Sequence, residues 1–160
     1  MTRLLSRNHD LFVRQLQRLA GKVEMGLRVV WDVPNIFEYF VNLRPELKQM
    51  RDAVFGGAGG PTRDDRIELG RQFAAALDRE RSLRTRTVEQ TLAPRCVEIK
   101  RNPVREDREV MNLACLGERN RRDQFEEGVF EAARCFDNSF AFDYNGPWAP
   151  HAFADLTLRS

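Results

Sequence analysis

The sequence predicts an α+β fold: a ferredoxin-like βαββαβ sandwich with an added N-terminal helix and an enlarged helical first crossover. Three observations carry this reading. From Val23 to Val33 apolar residues alternate with a period of two, which marks a strand with one buried face. From Thr62 to Leu92 there is no proline and one glycine, and apolar residues recur at helical intervals. From Phe140 to Tyr144 aromatic residues alternate with Ala141 and Asp143, as in a second half-buried strand.

The elements follow in chain order. Leu11, Leu16 and Leu19, with Phe12 beside them, predict a short amphipathic helix over Arg7–Ala20, stopped by Gly21. In the first strand Val23, Met25, Leu27, Val29, Trp31 and Val33 point one way, and Glu24, Gly26, Arg28, Val30 and Asp32 the other. Pro34 ends the strand. Asn35 then caps a helix with a stripe of Ile36, Phe40, Leu43 and Leu47, which Pro45 is placed to kink or divide. The run Gly56-Gly57-Ala58-Gly59-Gly60-Pro61 reads as a flexible hinge. It lacks the preceding strand and the Gly-Lys-Ser/Thr ending of a phosphate loop.

The long helix carries Ile67, Leu69, Phe73, Ala76, Leu77, Leu83, Val88 and Leu92 on its expected inner side. It should overhang the sheet, since an eight-residue strand spans only about 27 Å. Pro94 closes it, and Arg95–Arg101 predicts a second strand with Val97 and Ile99 inward and Glu98 and Lys100 outward. Val110–Leu116 is apolar on both faces, which suits a central strand. Asn120 and Asp123 have the spacing of a capping box, before a helix with Phe125, Val129, Ala133 and Phe136 on one face. Gly128 inside that helix points to close packing. In the strand order 4-1-3-2 of this fold, the first and last strands are neighbours, so Arg28 and Asp143 are expected to pair across them. The expected organisation is an N-terminal helix (1–21), a domain (22–153) with a helical insertion (35–93), and a tail (154–160).

Composition narrows the function classes. No apolar run approaches the roughly 20 residues that span a bilayer, and the N-terminus lacks the pattern of a secretory signal, so the expected compartment is the cytosol. With 26 basic and 24 acidic residues the net charge is +2, which supplies no global basic field for nucleic acid. Cys96, Cys115 and Cys135 include no CxxC pair and are read as reduced core residues rather than zinc ligands. Arg79, Arg81, Arg84 and Arg86 are balanced by Asp78, Glu80 and Glu89, as on the wet side of a helix. The charged residues Glu24, Arg28, Asp32, Glu98, Lys100 and Asp143 read as a solvated, balanced sheet face, and no nucleophile–base or carboxylate constellation for catalysis is evident.

Several phrases then converge. Leu19-Ala20-Gly21-Lys22-Val23-Glu24-Met25-Gly26-Leu27-Arg28-Val29, Gly70, Asn112-Leu113-Ala114-Cys115-Leu116 with Phe125 downstream, and Gly146-Pro147-Trp148-Ala149-Pro150-His151-Ala152-Phe153 resemble the GvpF/GvpL gas vesicle proteins. The last phrase is the most specific, departing from that family's GPWPPYSF-like string at Ala149, His151 and Ala152. The resemblance covers roughly Leu16–Phe153 and corresponds to the family's C-terminal domain, without the α/β domain that usually precedes it.

The resemblance implies a minor structural or accessory protein in gas vesicle assembly, located at gas vesicles in the prokaryotic cytoplasm. It would act by contacts with the shell protein GvpA and other gas vesicle proteins, with no reaction, cofactor, metal, nucleic acid or membrane involved. Gly146, Pro147, Trp148, Pro150, His151 and Phe153 are the candidate partner-binding residues, and Glu24, Gly26, Arg28 and Asp143 the structural motif. Trp148 is read first as a packing residue holding the C-terminal segment down, and in the functional version as an interface anchor. The alternative is a stand-alone ferredoxin-like ligand- or RNA-binding module.

Overall fold

The computed structural model describes residues 2–155. Residues 156–160, most of the expected tail, lie outside the described residues. Helix α1 (Thr2–Leu19) precedes strand β1 (Lys22–Trp31). Helices α2 (Ile36–Leu43), α3 (Pro45–Phe55) and α4 (Arg63–Leu92) form the crossover to β2 (Glu98–Arg101). Strand β3 (Glu109–Glu118), helix α5 (Arg122–Ala133) and strand β4 (Phe140–Trp148) complete the unit. The sheet runs β2-β3-β1-β4 with every neighbouring pair antiparallel. This is the βαββαβ order that the alternation predicts, with the two apolar strands in the centre.

Local chemistry sets most of the boundaries. The Asn35 side chain accepts from the Glu38 amide at 3.1 Å and starts α2, and Pro45 divides the predicted helix by occupying the first turn of α3. A capping box does form, but at α4, where Thr62 and Asp65 bond reciprocally. The one expected at Asn120 and Asp123 does not, because a 3-10 turn over Arg119–Arg121 moves the start of α5 and leaves Arg121 at its N-cap without a side-chain bond. Helix α1 begins five residues earlier than expected.

The core lies between the sheet and helices α2, α4 and α5. Trp31, fully buried, packs edge-to-face on Phe40 at 5.3 Å and beside Phe140 at 6.3 Å. At about 1.5 Å per residue α4 is about 45 Å long, and its first half meets α2 through Phe37, Phe40 and Phe73. Leu69, Ala76, Leu77, Val88 and Leu92 are buried as expected, but Ile67 and Leu83 are exposed on sides that no neighbouring element covers. Gly128 of α5 faces α4, where a Cβ would lie 2.6 Å from Arg95 Cδ and 3.0 Å from Leu92 Cδ2.

Other expectations are corrected. Val97 is exposed, because the strand begins only at Glu98 and lies at the sheet edge. Leu43 is exposed at the end of α2, and Leu16 on α1 is 72% exposed. Phe136 lies beyond α5 and packs between Phe140 and Phe142. Cys115 is fully buried and Cys96 partly so, whereas Cys135 is exposed because it sits in the turn after α5. Cys115 hydrogen-bonds Cys96, which raises the Cys115 pKa, reinforced by burial, and lowers that of Cys96.

Two arginines of the expected wet face of α4 are instead structural. Arg81 donates to the carbonyls of Glu109 and Asp107, each at 2.9 Å, and lies over Trp31. Arg84 bonds the buried Glu80 at 2.7 Å and covers the rings of Phe136 and Phe140. Glu80 also accepts from Arg44 at 3.0 Å. A buried carboxylate is tolerated when paired and hydrogen-bonded, and here it ties the α2–α3 junction to α4.

Candidate functional site

The second face of the sheet, turned away from α4 and α5, is where the structure departs most from a solvated charged surface. Glu24 is only 7% exposed, because the chain after β4 folds back across it. That C-terminal strap starts inside β4, whose pairing with β1 slips between Glu24 and Gly26. Gly146 sits at the slip with φ +109°, and a Cβ there would lie 2.8 Å from the Glu24 carbonyl. Only glycine fits such a backbone and such an approach. The Gly146–Pro147 bond is cis, and Trp148, Ala149 and Pro150 lead into a 3-10 turn over His151–Phe153.

Phe153 is the plug of this strap. It is fully buried with Ala114, Leu116, Leu19 and Ala152. Three charged side chains hold the backbone around it. Glu24 Oε2 accepts from the Ala152 amide at 2.9 Å. Lys100 Nζ donates to the Ala152 carbonyl at 2.8 Å and lies 5.2 Å from the Phe153 ring centre. Arg18, which also pairs with Glu98, donates to the Phe153 carbonyl at 3.0 Å. The predicted partner-binding role of Phe153 is therefore corrected, since a side chain with no exposed surface offers nothing to a partner.

Trp148 behaves in the opposite way. It is 56% exposed, yet its position is fixed, because the indole Nε1 donates to Asn145 Oδ1 at 2.9 Å. Asn145 has room for this only because residue 26 is glycine, where a Cβ would meet Asn145 Oδ1 at 2.5 Å. The packing role expected of Trp148 falls to Phe153 five residues on. His151 is also exposed, with Nδ1 2.9 Å from the Ala149 carbonyl and 3.6 Å from Glu24 Oε2.

Trp148, Pro147 and Pro150 line one part of an open groove of about 890 Å³, and Leu16 and Leu19 of α1 with Val23 add to its apolar lining. Lys22, Arg119 and His151 stand among its polar lining residues. On the other side of Trp148 lies a polar cleft of about 420 Å³ over Glu24, Arg28, Asn112 and Asp143. Gly146, Pro147, Trp148, Pro150 and His151 are thus brought together at one surface, as their sequence proximity suggests. Leu16, Lys22 and Arg119 belong to the same surface but are not among the predicted residues, because the docking of α1 brings Leu16 there and the β1–β3 ladder brings Lys22 and Arg119.

Arg28 and Asp143 face each other across β1 and β4 as expected, and the Asp143 charge acts on Arg28, but the hydrogen bonds of Arg28 go to other carboxylates. Arg28 Nε donates to Glu109 Oε1 at 2.8 Å, and its Nη2 reaches Glu106 at 3.4 Å. Glu109 is 1% exposed and also accepts from the Arg105 amide at 2.7 Å. Burial pushes its pKa up, but the Arg105 amide and the Arg28 guanidinium outweigh this and hold it below the usual carboxylate value. Among the described residues no three His, Cys, Asp or Glu side chains are grouped to hold a metal ion, and no helix is long and apolar enough to cross a membrane.

Fold and site together define an α+β sandwich with an open, mostly apolar groove beside a C-terminal strap that Phe153 holds down. The model of the gas vesicle synthesis protein GvpL/GvpF family matches residues 1–155, and the chain belongs to that family. It is 25% identical over 98% of its length to gas vesicle protein F of Dolichospermum flosaquae, and 28% identical over 96% to gas vesicle protein L of a Streptomyces species. It spans 63% and 56% of those relatives, respectively. The crystal structure of GvpF from Anabaena sp. PCC7120 superposes with a TM-score of 0.85 at 23% identity, over 98% of this chain and 63% of that one. The fold is therefore that of solved GvpF structures.

Proposed function

We propose that the protein is a minor structural or accessory component of gas vesicle assembly, acting at the gas vesicle within the prokaryotic cytoplasm by contacts with the shell protein GvpA and other gas vesicle proteins. It carries no reaction of its own in this reading. The observation that supports it is the division of labour in the strap: Phe153 is buried and holds the segment down, while Trp148 is held by Asn145 with 56% of its surface exposed beside an apolar groove. A fixed, half-exposed tryptophan next to a groove is the usual make-up of an interface anchor. Gly146, Pro147, Pro150 and His151 serve it by setting its direction and flanking it.

The domain boundaries belong to the same proposal. Residues 22–153 form the contact domain with its helical insertion at 35–93, and residues 1–21 supply the helix that closes the groove. Against the RNA-binding alternative, two arginines of the basic run on α4, Arg81 and Arg84, are engaged within the fold. The test is deletion of the gene followed by complementation, scored by flotation and by co-purification with GvpA. The proposal expects lost flotation, restored on complementation, and GvpA in the purified complex. Normal flotation of the deletion strain would refute it.

A further inference from the structure

From the groove beside Trp148, we infer that its occupant is an acidic amphipathic segment of a partner polypeptide: apolar side chains enter between Leu16, Val23 and Trp148, and flanking carboxylates meet Lys22 and Arg119. This rests on the reading of Trp148 as a partner contact and specifies the partner's chemistry. The lining is mostly apolar, with two of its members, Leu16 and Trp148, 72% and 56% exposed. A concave, mostly apolar lining with a few polar groups at its edge is the form that binding sites take.

The charge on the boundary has one sign. Lys22 and Arg119 line the groove, and no Asp or Glu does so among the described residues. Lys22 donates to the Arg18 carbonyl at 2.7 Å. Glu118, opposite Lys22 in the β1–β3 ladder, lies outside the lining. Glu24 of β1 approaches the lining residue His151 at 3.6 Å but lines the polar cleft and accepts from the Ala152 amide, and Asp155, which follows Ala154, lies outside the groove lining. A groove with an apolar floor and a basic rim complements apolar residues flanked by carboxylates, and it disfavours flanking lysines.

The probe is a synthetic amphipathic peptide with a leucine–phenylalanine face flanked by glutamates, compared with a twin flanked by lysines, each read by fluorescence anisotropy. The glutamate peptide should bind saturably and at least about tenfold more tightly at low salt than at 1 M salt, where the Debye length is about 3 Å. Lys22→Glu with Arg119→Glu should invert the preference between the twins, and Leu16→Asp, at a largely exposed site, should weaken both. Equal binding of the twins would overturn the inference, as would binding of the lysine peptide alone. So would sedimentation with phosphatidylglycerol vesicles in the absence of peptide binding, or a homodimer dissolved by Leu16→Asp. GvpA capture separates the two claims: capture that survives charge reversal overturns only the acidic segment, whereas a wild-type protein that captures no GvpA overturns the assembly reading while the peptide preference still stands or falls by itself.

Discussion

The carboxylate of Glu24, near the start of the first strand, holds the backbone amide of Ala152 at 2.9 Å across 128 residues of sequence. Near-burial strengthens this bond, because the carboxylate has little water to return to. Replacing Glu24 with Ala should cost about 1–3 kcal/mol, the range for losing a charge-assisted bond and leaving a buried amide without its acceptor. Chemical denaturation reads the loss, and hydrogen exchange should place it at residues 149–154 rather than in β3.

Gly26→Ala separates stability from the display of Trp148. The new Cβ would lie 2.5 Å from Asn145 Oδ1, and the end of an exposed side chain can swing away at a cost of under about 1 kcal/mol. That swing removes the acceptor of the Trp148 indole. The expected outcome is a near-native melting temperature with a shifted Trp148 fluorescence and weaker partner binding.

Glu109 sets a pH dependence. Its folded pKa lies below the ordinary carboxylate value, so the unfolded chain binds the proton more readily. The associated stability is fully present above the unfolded pKa and is lost as the pH falls through the folded one. Glu109→Gln should destabilise by about 2 kcal/mol at neutral pH and flatten the acid limb of the stability curve below the ordinary Glu pKa. An unchanged acid limb would remove Glu109 from this account.

Much of this architecture was legible in the sequence, and the parts that were not share a cause. The alternation in β1 and β4 revealed strands with one buried face, the run apolar on both faces revealed the central β3, and Asn35 and Pro45 revealed helix starts because their chemistry is local. Glu24 and Glu80 read as solvated charges, since their burial comes from partners remote in sequence, the strap and Arg44. Arg81 and Arg84 were misplaced for the same reason. The phrase Gly146–Phe153 pointed to the right surface, but spacing alone did not tell the plug from the displayed residue. The groove was illegible until α1 was placed, because Leu16 and Trp148 are far apart in the chain.

Phe153→Ala tests the plug. Deleting a fully buried Phe costs about 3–5 kcal/mol in a closed core, and here the lower end is expected because the strap can partly detach. Partner binding should fall with it, as Trp148 loses its support. A loss under about 1 kcal/mol, the surface range, would mean the strap is not held by Phe153.

Trp148→Ala, measured for both melting temperature and GvpA capture, tests the central claim most directly. A half-exposed side chain bonded only to an exposed asparagine should change stability by no more than about 1 kcal/mol, while capture of GvpA should be lost. A clear drop in melting temperature with capture intact would contradict the account and make Trp148 the packing residue that the strap does not need.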